Sequence, residues 1–240
     1  MRLLTAIPVY NEEAHLEPVL AEVLRHAPGE VLVVDDGSTD GTPERLARFP
    51  EVKVIRHERN RGYGAGLRSA FEATLAGGYD GLVTLDCDGQ HEPALIPEVA
   101  RHLDEADVVS GSRYLKIFDP AQVPPEQRRK INVEVTRWLN ECLGFDLTDA
   151  FCGFKAYRAS ALRQFQITDD GYAMPLQVWV QAAKHGMTVV EVPVPLIYLD
   201  ESRAFGGALD DAEYRLNHYR SVFQNALREA RLEVAGECCG

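Results

Sequence analysis

Leu82-Val83-Thr84-Leu85-Asp86-Cys87-Asp88-Gly89-Gln90-His91 is the stretch on which the reading of this chain turns. Four largely apolar residues run into two aspartates one residue apart. A short apolar run ending in a polar turn reads as a buried strand. In an open α/β sheet, ligands gather beyond the carboxyl ends of the strands. Asp86 and Asp88 are therefore placed at the mouth of a site. Two carboxylates this close repel each other, and a divalent cation removes that penalty. Oxygen ligands joined by the Gln90 amide suit Mg²⁺ or Mn²⁺, which keep open positions for phosphate oxygens. The plain alternative is a turn with two solvated aspartates. The D-x-D spacing alone does not choose between them.

Outward from this stretch the chain alternates apolar runs with helical periods. Leu3 to Val9 reads as a first strand, and Leu16, Val19, Leu20, Val23 and Leu24 recur at helical spacing within Glu13 to Ala27. Val31 to Val34 and Val52 to Ile55 are further strands, with a short helix opening at Pro43 between them. Asn60 to Gly66 is a glycine-rich turn into a helix through Leu75; Pro93 to Leu103 is a helix and Val108-Val109 a strand. The βαβ period predicts an α/β fold with a largely parallel sheet. After Tyr114 the pattern loosens. A proline-containing loop from Lys116 to Pro125 precedes a helix from Glu126 to Leu143, with Ile131, Val135, Trp138, Leu139 and Leu143 on one side. A short strand near Phe154, a helix from Met174 to His185, strands at Val189–Val192 and Leu196–Leu199, and a charged final helix from Asp210 to Glu233 complete the expectation. The predicted organisation is a regular α/β half over residues 1–114, a looser half over 115–205, and a C-terminal helix and tail over 206–240.

Composition narrows the functional classes. The 240 residues carry a net charge of −12, which argues against a nucleic-acid binder. With 45 % hydrophobic residues a sizeable core is expected. No run approaches the roughly 18 apolar residues of a membrane span. Five cysteines without zinc or redox spacing fit a reduced, cytoplasmic protein, with a peripheral position at the inner face of a membrane as the second placement.

Other motifs carry competing readings. Gly62, Gly64 and Gly66 follow a G-x-G-x-G spacing, short of the dinucleotide fingerprint, and a tight turn explains them. In Asp35-Asp36-Gly37-Ser38, an aspartate either caps the next helix or meets a base or ribose at a strand end. Asp40, before Pro43, is the better cap, which leaves Asp36 for a ligand. No G-x-S-x-G elbow is present, so acyl transfer lacks a nucleophile.

Taken in order, Ile7-Pro8-Val9-Tyr10-Asn11-Glu12, Asp35 to Thr42, Asn60-x-Gly62-x-Gly64, Asp86 to His91, Gly111-Ser112-Arg113-Tyr114 and Asp149 to Lys155 resemble the family 2 glycosyltransferases of GT-A fold. The dolichyl- or polyprenyl-phosphate mannose or glucose synthases are the nearest in look, over roughly residues 3–205. The resemblance implies inverting transfer of a hexose from a GDP- or UDP-sugar to a polyprenyl phosphate at a membrane surface. It implies Pro8, Tyr10, Glu12, Asp36, Gly64 and Asp86 as nucleotide-sugar contacts, and Asp86, Asp88 and Gln90 as metal ligands. Asp88, Arg113, Asp149 and Arg203 are its catalytic candidates. Gln177 stands where the synthases commonly carry an acidic residue, and Gly207-Ala208 replaces the usual Ser-Lys. A hydroxyl acceptor would need a general base, for which Asp149 is the candidate. A phosphate acceptor needs cations, for which Arg113, Arg203 and Lys155 are candidates. A catalytically silent nucleotide-sugar binder of the same fold is the alternative from another class. The Glu126–Leu143 helix, with Trp138 and the basic run Arg128-Arg129-Lys130, is expected either at the membrane surface or packed on the sheet.

Overall fold

The computed structural model describes residues 1–197 and 206–232. Seven strands form one sheet: β1 (Leu3–Val9), β2 (Glu30–Asp35), β3 (Lys53–Arg56), β4 (Gly81–Thr84), β5 (Val108–Ser112), β6 (Lys155–Arg158) and β7 (Val189–Pro193). Their spatial order is β3-β2-β1-β4-β6-β5-β7. All pairings are parallel except those of β6, which runs antiparallel to both β4 and β5. The strand expected near Phe154 thus enters the centre of the sheet against the grain of its neighbours.

The period-2 placement of side chains makes two cores from one set of strands. On β1 and β2, Leu4, Ala6, Leu32 and Val34 face one layer, while Leu3, Ile7, Val31 and Val33 face the other. The second layer is covered by α1 (Leu16–His26), α2 (Thr42–Leu46) and α4 (Ile96–Arg101). The first is covered by α3 (Tyr63–Ala76), α5 (Glu126–Leu143), α6 (Ala159–Leu162), α7 (Met174–Lys184) and α8 (Ala212–Ala230).

Several expectations change on this frame. The helix expected over Pro93–Leu103 is α4 flanked by 3₁₀ turns at Pro93–Leu95 and His102–Asp104. Pro97 stands in the first turn of α4, where its missing N–H costs nothing. Residues 196–197 form no strand, and Tyr198 and Leu199 lie outside the described residues. The apolar side of α5 is turned inward: Val135, Trp138 and Leu139 are fully buried, Ile131 nearly so. The Trp138 indole donates to Glu134, and the Arg220 guanidinium of α8 lies 5.2 Å from its ring. The packed reading of α5 holds: its apolar side lies in the buried core beside α7 and α8. Among the described residues no helix is long and apolar enough to cross a membrane.

Candidate active site

The strand order reverses direction at β1. Its neighbours are β2 on one side and β4 on the other, and the next strand along the first side is β3. A crevice at the carboxyl ends of β1 and β4 follows, because the chains leaving them diverge. Pairing of β1 with β4 ends at Ala6↔Thr84, while pairing with β2 continues to Val9↔Asp35. Pro8 lies beyond the last β4 pair. It is half-buried, and Tyr10 after it is exposed.

The loops after β1 and β2 are laced together. The Asn11 amide nitrogen donates to Ser38 Oγ at 2.9 Å, and Thr39 N donates to Asn11 Oδ1 at 2.9 Å. Glu12 N donates to Thr42 Oγ1, and Glu12 Oε2 lies 3.0 Å from His15 Nδ1. Asp40 accepts from Thr42 N and from Glu13 N and closes the turn ahead of α2, but the N-cap of α2 is Gly41, without a side-chain cap bond, so Asp40 is not the cap read from sequence. Asp36 is not free. Its carboxylate accepts from Arg61 N and Gly62 N and pairs with His57 Nδ1 at 2.5 Å, with the residue only 4 % exposed. Asp36, read from sequence as unpaired and open to a ligand, is bonded on both oxygens because the loop after β3 turns back over it. Gly64 is likewise a packing residue: its N–H donates to Asp170 O at 2.8 Å, and a Cβ there would stand 2.4 Å from Asp169 O.

The acidic turn after β4 is held from three directions. Gly89 takes a left-handed conformation (φ 73°), and Gln90 N donates to Asp88 Oδ1 at 3.0 Å. His91 is buried, and its Nδ1 accepts from Asp86 N at 3.0 Å. The proton therefore sits on Nε2, 3.9 Å from Asp86 Oδ2 and 4.0 Å from Cys152 Sγ. The Tyr63 hydroxyl donates to Asp86 Oδ1 at 3.1 Å. Burial and then the Asp86 charge hold the Tyr63 phenol well above its ordinary pKa, so it stays a donor. Burial, reinforced by the Asp88 charge, raises the Asp86 carboxyl in turn.

Whether a hard cation fits here can be judged from the turn itself. A Cβ on Gly153 would lie 2.2 Å from Asp86 Oδ2, so only glycine leaves room beside that carboxylate. The oxygen donors the turn offers are the carboxylates of Asp86 and Asp88 and the Gln90 amide, and the repulsion between the two carboxylates is one that a cation would relieve. Among the described residues no group of three or more His, Cys, Asp and Glu side chains is arranged to hold a metal. A cation here would thus take its remaining oxygens from an amide and from the ligand.

Tyr63 is itself positioned. Its ring stacks on Tyr172 at 5.6 Å. Tyr172 follows the loop 168–171, whose Asp170 carbonyl accepts the first N–H groups of α3. Gln177 on α7 anchors that loop: Oε1 accepts from Thr168 N and Asp169 N, and Nε2 donates to Thr168 Oγ1, all at 2.9 Å. An acidic side chain at position 177 could accept the same two N–H groups, while only the amide also donates to Thr168 Oγ1.

A buried charge cluster lies beyond β5. Arg113 pairs with Asp149 through two nearly parallel bonds, Nε to Oδ2 at 2.6 Å and one Nη to Oδ1 at 2.9 Å. Asp149 also accepts from Asn132 Nδ2 at 2.7 Å and from Arg113 N and Phe151 N, and it is fully buried. Burial alone would raise its pKa; the Arg113 guanidinium outweighs that and holds it at about 2. Asp149, the base candidate, is therefore bonded on both oxygens and buried from solvent, and it anchors Arg113. Arg113 keeps 22 % side-chain exposure, and its second Nη is not used by the pair. Lys155, a candidate for the acceptor side, is buried inside the sheet. It donates to Ser110 Oγ and the Cys152 carbonyl under the Trp179 ring, and burial lowers its pKa. Glu191 accepts from Thr148 and from Asp149 N, so two cations balance two anions here. Arg203 lies outside the described residues. Tyr63, Asn132 and Gly153 were not singled out as site residues from sequence; only the glycine turn of Gly62 to Gly66 hinted at the first.

A sheet with its switch point at β1/β4 and an acidic turn there define a GT-A glycosyltransferase fold. The model aligns with glucosyl-3-phosphoglycerate synthase of Mycobacterium tuberculosis, solved with UDP, at a TM-score of 0.71 and 19 % identity over 98 % of this chain and 82 % of that one. Structures of that enzyme also contain Mn²⁺ or Mg²⁺. Residues 5–165 match the model of Glycosyl transferase family 2, and the chain belongs to that family: it is a glycosyltransferase. It is 35 % identical to the undecaprenyl-phosphate mannosyltransferase of Micrococcus luteus over 88 % of this chain and 91 % of the relative. It is 31 % identical to the polyprenol monophosphomannose synthase of Mycolicibacterium smegmatis over 90 % of this chain and 85 % of the relative.

Proposed function

We propose that this glycosyltransferase moves a hexose, mannose by analogy with its relatives, from a nucleoside-diphosphate sugar to a polyprenyl phosphate. The observation that carries the choice of acceptor is the state of Asp149. A hydroxyl acceptor requires a base within reach, and the one base candidate is buried and bonded on both oxygens. A phosphate monoester is already largely anionic near neutral pH and calls only for positive charge. Arg113, fixed by Asp149 with one Nη unused by that pair, supplies it.

In this reading Asp86, Asp88 and Gln90 would hold a divalent cation, which when bound would supply Lewis-acid charge at the leaving diphosphate. Tyr63 and His91 fix the orientation of Asp86. The Tyr10–Glu12 loop flanks the nucleotide crevice. An acceptor phosphate oxygen forms the new bond to the anomeric carbon as the bond to the diphosphate breaks, with inversion. The intact acidic turn with its dedicated supports is what favours an enzyme over a silent binder.

The test is turnover of GDP- and UDP-hexoses with Mn²⁺ and a short-chain isoprenyl phosphate, against the matching isoprenol. Glycosyl isoprenyl phosphate from the phosphate alone is the expected result. Transfer to the alcohol at a comparable rate would refute the phosphate acceptor.

A further inference from the structure

Among the described residues, four large exposed apolar side chains fall within nine consecutive positions: Leu115, Ile117, Phe118 and Val123. Ile117 is 75 % and Val123 67 % exposed. Scattered exposed apolar residues need no explanation, but a cluster of this kind marks an interaction surface. The segment forms no strand or helix, and Pro120, Pro124 and Pro125 keep it from joining α5.

The charge around it is opposite to that of the whole chain. Lys116, Arg128, Arg129 and Lys130 stand against Asp119 and Glu126, a local excess of two positive charges (4 − 2) in a chain of net −12. The cations and the rings are interleaved. Lys116 Nζ lies 4.8 Å from the Phe118 ring centroid, and the Arg129 guanidinium 5.2 Å from that of Tyr114. Lys116 beside the exposed Phe118 ring, with Arg129 over Tyr114, sets cations next to apolar side chains, the pattern that suits the acyl-headgroup boundary of an anionic bilayer. The inward side of α5 excludes that helix's own apolar face from the role.

We propose that the segment 115–123, with the basic first turns of α5, is the surface on which this enzyme rests on an anionic membrane, Ile117, Phe118 and Val123 entering the interface. The inference rests on the acceptor reading above: a polyprenyl chain stays in the bilayer, so the docking surface has to adjoin the acceptor site. The segment starts two residues after Arg113, whose guanidinium stands at that site.

The experiment uses the full chain and its Ile117→Asp/Phe118→Asp variant, with vesicles of 30 % phosphatidylglycerol in phosphatidylcholine and no polyprenyl phosphate. Both residues are solvent-exposed, so unchanged melting temperature serves as the folding control. The wild type is expected to co-sediment with these vesicles more than with pure phosphatidylcholine, and the variant to lose at least ten-fold in partition coefficient. Turnover of a soluble short-chain isoprenyl phosphate should be unchanged in the variant, while turnover of vesicle-embedded long-chain acceptor should fall at least ten-fold. Equal vesicle binding by both proteins overturns the proposal, as does a lipid-free dimer that the variant abolishes, which would give the face to a second copy. If neither protein turns over any phosphate acceptor but only the wild type binds vesicles, the acceptor reading fails and the docking surface stands.

Discussion

Asp88 and Asp86 sit in the same turn but are supported differently, and substitution should separate them. Asp88→Asn removes one oxygen ligand and one charge from the proposed cation site while leaving the turn's backbone intact. Activity should fall more than ~10²-fold, the scale of losing one electrostatic stabiliser, and steady-state kinetics with excess Mn²⁺ would check it. Tyr63→Phe removes only the hydroxyl that donates to Asp86 Oδ1. Hydrogen bonds to charged groups contribute about 1.5–3 kcal/mol, so Mn²⁺ binding in the presence of a nucleoside diphosphate should weaken about ten-fold. Electron paramagnetic resonance of free Mn²⁺ would read this directly, and higher Mn²⁺ should restore turnover. Asp149→Asn breaks a buried ion pair from one side and leaves Arg113 uncompensated. That costs about 3 kcal/mol or more, seen as a lower denaturation midpoint. Activity should fall with it, since Arg113 loses the carboxylate that orients it.

At the scale of elements, the 168–171 loop is the part that depends most on one side chain. Gln177 projects from α7 and takes both backbone N–H groups of Thr168 and Asp169. Gln177→Ala strands these two donors at a partly buried position. It should destabilise the fold by about 1–3 kcal/mol and speed amide exchange at Thr168 and Asp169. Gln177→Glu keeps both acceptors and should change exchange little. Because the loop also seats Tyr172 against Tyr63, the alanine variant should weaken Mn²⁺ binding as Tyr63→Phe does.

At the scale of the whole molecule, the buried cluster of Arg113, Lys155, Asp149 and Glu191 ties β5, β6 and β7 together and links stability to pH. The Asp149 carboxyl is held at about 2 in the folded protein against an ordinary 3.8. A folded pKa below the unfolded one stabilises the protein above the unfolded value, and that contribution is lost as pH falls through the folded one. The stability difference between wild type and Asp149→Asn should thus be constant above about pH 4.5 and shrink between about 4 and 2. Urea denaturation at a series of pH values would measure it.

The motifs were legible in sequence where chemistry and position along the chain coincide. The apolar run ahead of Asp86-Cys87-Asp88 placed the acidic turn at a strand end, because a buried strand exposes polar residues only where it stops. The βαβ period gave the α/β class for the same local reason. What the sequence could not decide were the partners of each charge. Asp36 reads as free until the chain after β3 folds back over it, and Asp149 reads as a base until Arg113 and Asn132 close on it. The apolar side of α5 has the same composition whether it meets lipid or the sheet. Only the layer order, with α7 and α8 packed beside it, turns Trp138 inward and leaves Ile117 and Phe118 outside. Local sequence determines which groups stand at a strand end; long-range packing determines which of them are already satisfied.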